Sequence, residues 1–178
     1  MAKGFSHALV LLSNDIKAAN PTTTNYNKYE VVAGFGSLAI LEVDTNCLQQ
    51  LDKFTADNTN DWLFGYISYD LKNEIEDLSS KNRDNLLFPT LQFFVPEIVI
   101  TVADNELTAH YYASNNTPAA IIAFLGELCK QPQTAPPLHF PNSFTARVSR
   151  KQYIDNFSKI QNHIQQGDIY EINYCIEF

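Results

Sequence analysis

The chain lacks three features that would each point to a large class of proteins: an excess of positive charge, a long apolar run and a secretion leader. Its 178 residues contain 12 Lys and Arg against 20 Asp and Glu, which gives a net charge of −8 at pH 7. Nucleic-acid-binding domains carry a basic face, so this balance argues against one. No apolar run approaches the roughly 20 residues that span a bilayer, and residues 1–7 do not begin a signal peptide. These absences predict a soluble, cytoplasmic protein that binds neither nucleic acid nor membrane.

Cysteine is also scarce, and its spacing excludes two kinds of site. Cys47, Cys129 and Cys175 are odd in number and far apart, which fits neither a disulfide framework nor a zinc site. The four histidines are scattered, and none forms a pair at the spacing of metal ligands. No nucleophile lies beside a base in the sequence, and no complete acid–base pair is evident. The sequence therefore predicts no metal site and identifies no catalytic residue.

Apolar side chains, in contrast, are plentiful, because 45% of the residues are hydrophobic and 12 residues are Phe. Apolar runs predict strands, and apolar residues at helical spacing behind Ser, Thr or Asp predict helices. The predicted strands are residues 7–13, 29–35, 37–43, 62–69, 91–102 and 107–113. The predicted helices of this region follow Asp44 or Thr45, Asp70, and Thr117. This order predicts an α+β fold of antiparallel strands with helices outside.

Single residues refine this expectation. Pro96 interrupts the strand predicted at 91–102, which favours an edge or a bulge there. Residues 103–106 predict a hairpin turn. Gly65, within a strongly apolar strand, indicates a bulge or the close approach of a backbone or a ligand. Asp70 is predicted to cap a short helix, and Glu74 is predicted to lie on the solvated face of that helix.

The last thirty residues carry the clearest pattern. Ser149 and Gly167 mark the beginning and the end of an amphipathic helix. Residues 170–178 then alternate, which predicts a strand with one apolar face and one polar face that carries Glu171 and Asn173. The pattern alone favours a solvated outer face over a cleft. Because the chain stops inside this segment, we expect it to be the front part of a larger protein.

This last segment resembles a known family. The sequence GDIYEIN at residues 167–173, followed by a segment that ends in the aromatic residue Phe178, is similar to the segment shared by the chorismate-utilising enzymes. Gln is usual in that family at the position of Glu171 and Arg at the position of Glu177, so the chain departs from the pattern twice. Asn173 resembles the para-aminobenzoate branch, aminodeoxychorismate synthase component I, more than the anthranilate branch.

Further matches are spread along the chain: LLS at residues 11–13, GYISYD at 65–70 and PTLQF at 89–93. The first resembles the element that helps to form an internal tryptophan pocket in several members of the family. The resemblance implies that Ser13 lines such a pocket and that Tyr29 lies on its partner strand.

The resemblance implies two antiparallel sheets packed as a sandwich, with helices outside and a chorismate cleft, incomplete at the C-terminus of this chain. We expect an N-terminal α+β region at residues 1–130, a proline-rich connector at 131–144, and the start of the chorismate-binding region at 145–178. The family's catalytic residues and metal ligands are expected beyond Phe178. Glu171 and Asn173 are then candidates for lining the substrate cleft rather than for the chemistry.

The implied function is the amination of chorismate to 4-amino-4-deoxychorismate, a step of folate synthesis. The implied cofactor is Mg²⁺, and the implied partner is a glutamine amidotransferase subunit that supplies ammonia. The alternative within the family is anthranilate synthase component I of tryptophan synthesis. An alternative of another class is a non-catalytic fragment that binds a small ligand. We expect residues 1–178 alone to be inactive and to associate through an exposed apolar strand face.

Overall fold

The structure, a computed structural model, describes residues 4–13, 28–76, 78–79, 84–130 and 144–178. The chain divides into a first unit, Met1–Lys130, and a second unit, Gln131–Phe178. Each unit is described by itself. Of the predicted connector, residues 131–143 lie outside the described residues.

The described part of the first unit consists of two antiparallel sheets and three helices. The strands are β1 (Ala8–Leu12), β2 (Val31–Phe35), β3 (Ala39–Val43), β4 (Phe64–Ile67), β5 (Leu91–Val95), β6 (Ile98–Ala103) and β7 (Glu106–Tyr111). The first sheet has the order β1-β2-β6-β7, and the second has the order β3-β5-β4. The helices are α1 (Cys47–Asp57), α2 (Lys72–Ile75), which follows a 3₁₀ turn at Tyr69–Leu71, and α3 (Pro118–Leu128). The predicted α+β class with antiparallel strands is confirmed.

Three clusters of buried side chains hold this unit together. Ile121 of α3 packs on Phe35 and Ile98 of the first sheet. On the second sheet, Leu91 packs with Cys47 of α1 and with Leu71 of the 3₁₀ turn. A third cluster joins Phe64 and Phe94 of the second sheet to Val99 of the first. The buried apolar surface therefore lies on both faces of each sheet, which explains the near-continuous apolar runs of β5 and β6.

The chain passes from the second sheet to the first at Pro96. β5 ends at Val95, and β6 begins at Ile98. The predicted interruption is confirmed, but the expected edge or bulge is wrong, because β5 and β6 are both inner strands of their sheets. Pro96 lies in the two-residue link between them, where its missing N–H removes no ladder hydrogen bond.

The predicted hairpin joins β6 to β7, with Ala103 opposite Glu106. Asp104 and Asn105 form its turn with φ angles of 51° and 63°. Two positive φ angles are the requirement of a type I′ turn, which fits the twist of a two-stranded ribbon. Asp and Asn tolerate this conformation better than most residues, so the local sequence explains the turn.

Gly65 marks a close approach between two backbones. It lies opposite Phe93 in the pairing of β4 with β5. A Cβ atom at Gly65 would be 2.0 Å from the carbonyl oxygen of Gln92 and 2.6 Å from Cα of Phe93. The predicted close approach is confirmed, and its partner is the backbone of β5 rather than a ligand.

Two predictions about helix ends are wrong. α1 begins after Asn46, whose side chain makes no capping hydrogen bond. The backbone N–H of Cys47 donates instead to the Glu74 carboxylate, at 2.8 Å to Oε2. Glu74, predicted to be solvated, therefore caps α1 from a distant part of the chain. Asp70 does not cap the following helix, because Ser68 Oγ accepts from the Asp70 N–H at 3.3 Å.

The second unit contains α4 (Arg150–Gln166), whose predicted ends are confirmed. Ser149 Oγ accepts from the Gln152 N–H at 3.2 Å, and Gly167 ends the helix with φ of 80°. No helix in the described ranges of either unit combines the length and the apolar character that a membrane crossing requires.

The strand predicted at residues 170–178 is absent from the structure, although these residues are all described. A strand needs a neighbouring strand to pair its backbone groups, and the described part of the second unit offers none. The segment is held instead by side chains of α4 and of the residues that precede it.

Candidate functional site

The structure brings Ser13 and Tyr29 together at one end of the β1–β2 pair. The Ser13 N–H donates to the Glu30 carbonyl at 3.0 Å, which continues the ladder beyond β1. Ser13 Oγ donates to the Tyr29 carbonyl at 2.5 Å. Because this hydroxyl uses its proton on the backbone, both of its lone pairs remain able to accept a hydrogen bond. The intervening residues 14–27 lie outside the described residues.

An aromatic ring, that of Trp62, contacts Tyr29. The ring of Trp62 lies 6.1 Å from that of Tyr29 at an interplanar angle of 61°, an edge-to-face geometry that aromatic pairs favour. Trp62 also contacts Phe64, at a centroid distance of 6.2 Å. Lys28 Nζ lies 5.1 Å from the centre of the Tyr29 ring. This corner can therefore offer a planar apolar ligand an aromatic wall beside a hydroxyl acceptor.

The terminal motif of the second unit is positioned by α4. The ring of Tyr174 stacks on that of Tyr153, with centroids 5.1 Å apart and an interplanar angle of 16°. Asn156 Nδ2 donates to the Tyr174 hydroxyl at 2.8 Å. Glu171 and Asn173 are both exposed. With Tyr174 held against α4, the neighbouring Asn173 side chain remains accessible to solvent or to a ligand.

Arg147 is a partner of the motif that the sequence did not reveal. Its backbone N–H donates to the Glu177 carbonyl at 2.9 Å. Its guanidinium Nη2 lies 2.9 Å from Glu177 Oε1. Glu177 stands where the resembling family usually has Arg, and here its charge is balanced by an Arg elsewhere in the chain. Only the opposite charges could have indicated this pairing, because the two residues are far apart in the sequence.

A cavity of about 240 Å³ in the first unit was also missed by the sequence analysis. The nearly fully buried Val95 and Val99 lie beneath it, and Trp62, which is 38% exposed, lines it. Asp61 and Glu97 add two carboxylates. The Tyr112 hydroxyl donates to Asp61, and this hydrogen bond raises the pKa of Tyr112, with burial as a smaller cause.

No three His, Cys, Asp or Glu side chains among the described residues converge where a metal ion could be held. The described residues therefore offer no such cluster for the Mg²⁺ that the resemblance implies. Cys47 is not a reactive nucleophile either. Its burial raises the pKa of its thiol, and the neighbouring Glu74 carboxylate raises it further, to about 11.

Comparison with known proteins identifies the family of the chain. The family of chorismate binding enzymes matches residues 14–178. The chain belongs to this family. The match includes Tyr29 and the whole terminal motif, while Ser13 immediately precedes it. No curated protein matches the chain.

The family match confirms the predicted resemblance at the level of the family. Its members are chorismate-utilising enzymes, so chorismate is a consistent ligand and catalysis is a plausible activity. The match is common to the para-aminobenzoate and anthranilate branches, so it does not choose between them. The motif at residues 167–173 was the sequence signal that found the family.

Proposed function

We propose that the protein is the chorismate-aminating component of para-aminobenzoate synthesis, aminodeoxychorismate synthase component I. One observation carries this choice: Asn173 matches the residue usual in the para-aminobenzoate branch, although Glu171 departs from that pattern, in a chain that belongs to the chorismate-binding family. In the reaction, the nitrogen of ammonia forms a bond to C4 of chorismate while the C4–oxygen bond breaks. The departing hydroxyl takes up a proton and leaves as water.

The exposed polar side chains of the motif suit binding better than bond making. The Asn173 amide can donate hydrogen bonds to a carboxylate of chorismate and accept one from a hydroxyl. The Glu171 carboxylate can only accept when ionised, so its partner would be a hydroxyl or ammonium group rather than a substrate carboxylate. Tyr153 and Asn156 hold Tyr174 on α4 and so orient the residue beside Asn173.

The proposal includes two components that act with this chain. Mg²⁺, when bound, would screen a carboxylate of chorismate and assist the departing hydroxyl. The described residues supply no cluster of three ligands for it. A glutamine amidotransferase subunit would supply the ammonia, since free ammonia is scarce at neutral pH.

We further propose that Ser13 and Tyr29 belong to an internal pocket for tryptophan. The Ser13 hydroxyl accepts from an ammonium group in this proposal, and the rings of Tyr29 and Trp62 contact the indole. The support is the 2.5 Å hydrogen bond that fixes Ser13 on Tyr29 and the aromatic pair beside it.

The sandwich of two sheets is also part of the proposal. Its support is the packing of Phe64 and Phe94, from the second sheet, against Val99 of the first. Helices α1 and α3 then lie on the outer faces, since each packs on the face of its sheet that points away from this cluster.

The decisive experiment incubates the full-length natural protein with chorismate, Mg²⁺ and an ammonium salt and separates the products by chromatography. We expect 4-amino-4-deoxychorismate, which a lyase converts to para-aminobenzoate. Anthranilate would instead assign the protein to the tryptophan branch and make Ser13 a candidate feedback contact. Unchanged chorismate, with no binding by calorimetry, would reject both branches and favour a module that binds another small ligand.

A pair of variants tests the role of Asn173. Asn173→Leu removes every hydrogen bond of the side chain, and we expect it to raise KM for chorismate about tenfold or more, since an unpaired buried partner costs about 1–3 kcal/mol. Asn162→Leu, an exposed position on α4, is the matched control and should leave KM unchanged. Equal KM values for the Asn173 variant and the wild type would remove Asn173 from the proposed cleft.

A further inference from the structure

The cavity beside Trp62 is separate from the terminal motif and has its own chemistry. It lies wholly within the first unit, between the start of β4 and the ends of β5 and β7. Its volume of about 240 Å³ corresponds to roughly eight water molecules at about 30 Å³ each. Such a space admits a ligand of about the size of one aromatic ring with a short substituent.

The accessible apolar surface of the cavity is aromatic. Val95 and Val99 line the cavity, but they are only 2% and 4% exposed, so they leave a ligand almost no surface to contact. Trp62 is held by its neighbours Tyr29 and Phe64, and its ring is nevertheless partly exposed. A fixed and accessible indole ring is the best aromatic surface for a cation.

The charge of the cavity is negative. Asp61 and Glu97 line it, and no Lys or Arg is among the lining residues. Tyr112 donates to Asp61, and the Ser37 N–H donates to Glu97 Oε1 at 3.3 Å. Each carboxylate accepts several hydrogen bonds, so these contacts orient the two groups without exhausting them. An anion such as chorismate would be repelled here.

We propose that this cavity binds a small organic monocation, an ammonium group attached to an apolar or aromatic body. The ammonium group is attracted by the carboxylates of Asp61 and Glu97, and the body of the ligand packs on the exposed part of Trp62. The site is independent of the proposed reaction, because it is defined in the first unit and requires no chorismate.

Benzylamine is the probe, because its ammonium group and single ring match the size and the charge of the cavity. Binding is followed at pH 8, where an ordinary imidazole is neutral. Trp62 is the only tryptophan of the 178 residues, so its fluorescence reports a ligand that binds beside this ring, and the Asp61 and Glu97 variants then assign the signal to the cavity. We expect saturable binding with a Kd of about 1 mM, and weaker binding of neutral benzyl alcohol and anionic benzoate.

Three isosteric variants locate the site. Asp61→Asn and Glu97→Gln remove one charge each while keeping a hydrogen-bond acceptor for Tyr112 and Ser37, so the fold is expected to persist; circular dichroism checks this. Each should weaken benzylamine binding about threefold, and the double variant about tenfold. Glu106→Gln, an exposed carboxylate on β7 that does not line the cavity, should leave binding unchanged.

The proposal is overturned by any of three results: no saturable benzylamine binding up to about 20 mM, benzyl alcohol binding as tightly as benzylamine, or equal weakening by Glu106→Gln. The last result would indicate a general attraction of cations to a chain of net charge −8. Because chorismate is absent from these measurements, their outcome is independent of whether the protein aminates chorismate.

Discussion

Cys47 and Glu74 form the most informative contact at the scale of single residues. Cys47 is completely buried, and its N–H, the first of α1, would lack a partner without the Glu74 carboxylate. A carboxylate at this position also interacts favourably with the dipole of α1. The same burial and the same negative charge oppose ionisation of the thiol, which is why the pKa of Cys47 rises from 9.0 to about 11.

This shift predicts how stability depends on pH. The unfolded thiol loses its proton near pH 9.0, whereas the folded thiol keeps its proton up to about pH 11. The folded state therefore binds more protons in this interval, and the free energy of unfolding should fall as pH rises through it. Urea denaturation at pH 8 and pH 10.5 should show a smaller fall for Cys47→Ala than for the wild type.

Comparison with Cys175→Ala is the control, because Cys175 is exposed and titration of the other groups is common to both variants. The free energy of unfolding could instead fall by the same amount between the two pH values in the wild type and in both variants. In that case the raised pKa of Cys47 is wrong.

The sequence predicted these two residues unequally. A cysteine at an apolar helical position is ordinarily a small core residue, and Cys47 is one. The sequence predicted Glu74 to lie on a solvated helix face because the residues beside it in the sequence are charged. Its true partner is the beginning of another helix, 27 positions away. A contact between distant residues leaves no trace in local spacing.

At the scale of elements, helix α4 shows why some predictions succeed. Its two ends depend on residues within one turn: Ser149 accepts from the Gln152 N–H, and Gly167 adopts the left-handed conformation. The hairpin turn at Asp104 and Asn105 is local in the same way. The strand predicted at residues 170–178 depends instead on a neighbouring strand, and the alternation of its side chains cannot supply one.

The cap predicts a measurable effect. Ser149→Ala removes the acceptor of the Gln152 N–H and should destabilise α4 by about 1 kcal/mol. Hydrogen exchange of the α4 amides measures this locally, without assuming that both units unfold together. Ser158→Ala is the matched control, since Ser158 lies mid-helix and donates to the Ile154 carbonyl. Its effect should stay within about 0.5 kcal/mol; equal protection loss in the two variants would contradict the capping role.

At the scale of the whole molecule, charge is out of balance. The net charge is −8, and the ion pairs of the described residues, such as Lys151 with Asp155, join exposed side chains. Exposed pairs contribute about 0–1 kcal/mol each, so screening them costs little. Screening the repulsion among the excess carboxylates should therefore dominate.

We accordingly expect Tm to rise when NaCl is increased from about 10 mM to about 150 mM, which shortens the Debye length from about 30 Å to about 8 Å. The rise should disappear near pH 4.8, the isoelectric point, where the net repulsion vanishes. A Tm that falls with salt at pH 7 would mean that attractive pairs, rather than excess negative charge, control the response.

The candidate site was only partly visible in the sequence. The motif at residues 167–173 found the family because its residue types and order are specific. Ser13 hydrogen-bonds to the Tyr29 carbonyl, while the pocket that the resemblance implies for these two residues stays a prediction. The cavity beside Trp62 and the pairing of Arg147 with Glu177 were missed. Both depend on segments that come together only in the folded chain, and neither has a short motif.

The pairing of β2 with β6 bears on how quickly the protein folds. Val31 lies opposite Val102 and Phe35 opposite Ile98, so the central pair of the first sheet joins segments from distant parts of the chain. The β6–β7 hairpin, in contrast, closes through two residues and can form within about 1–10 μs. Pairing β2 with β6 closes a long loop of chain, and this closure costs entropy before the contacts between the two strands form. We therefore expect docking of β2 on a preformed hairpin to limit the refolding rate of the first unit.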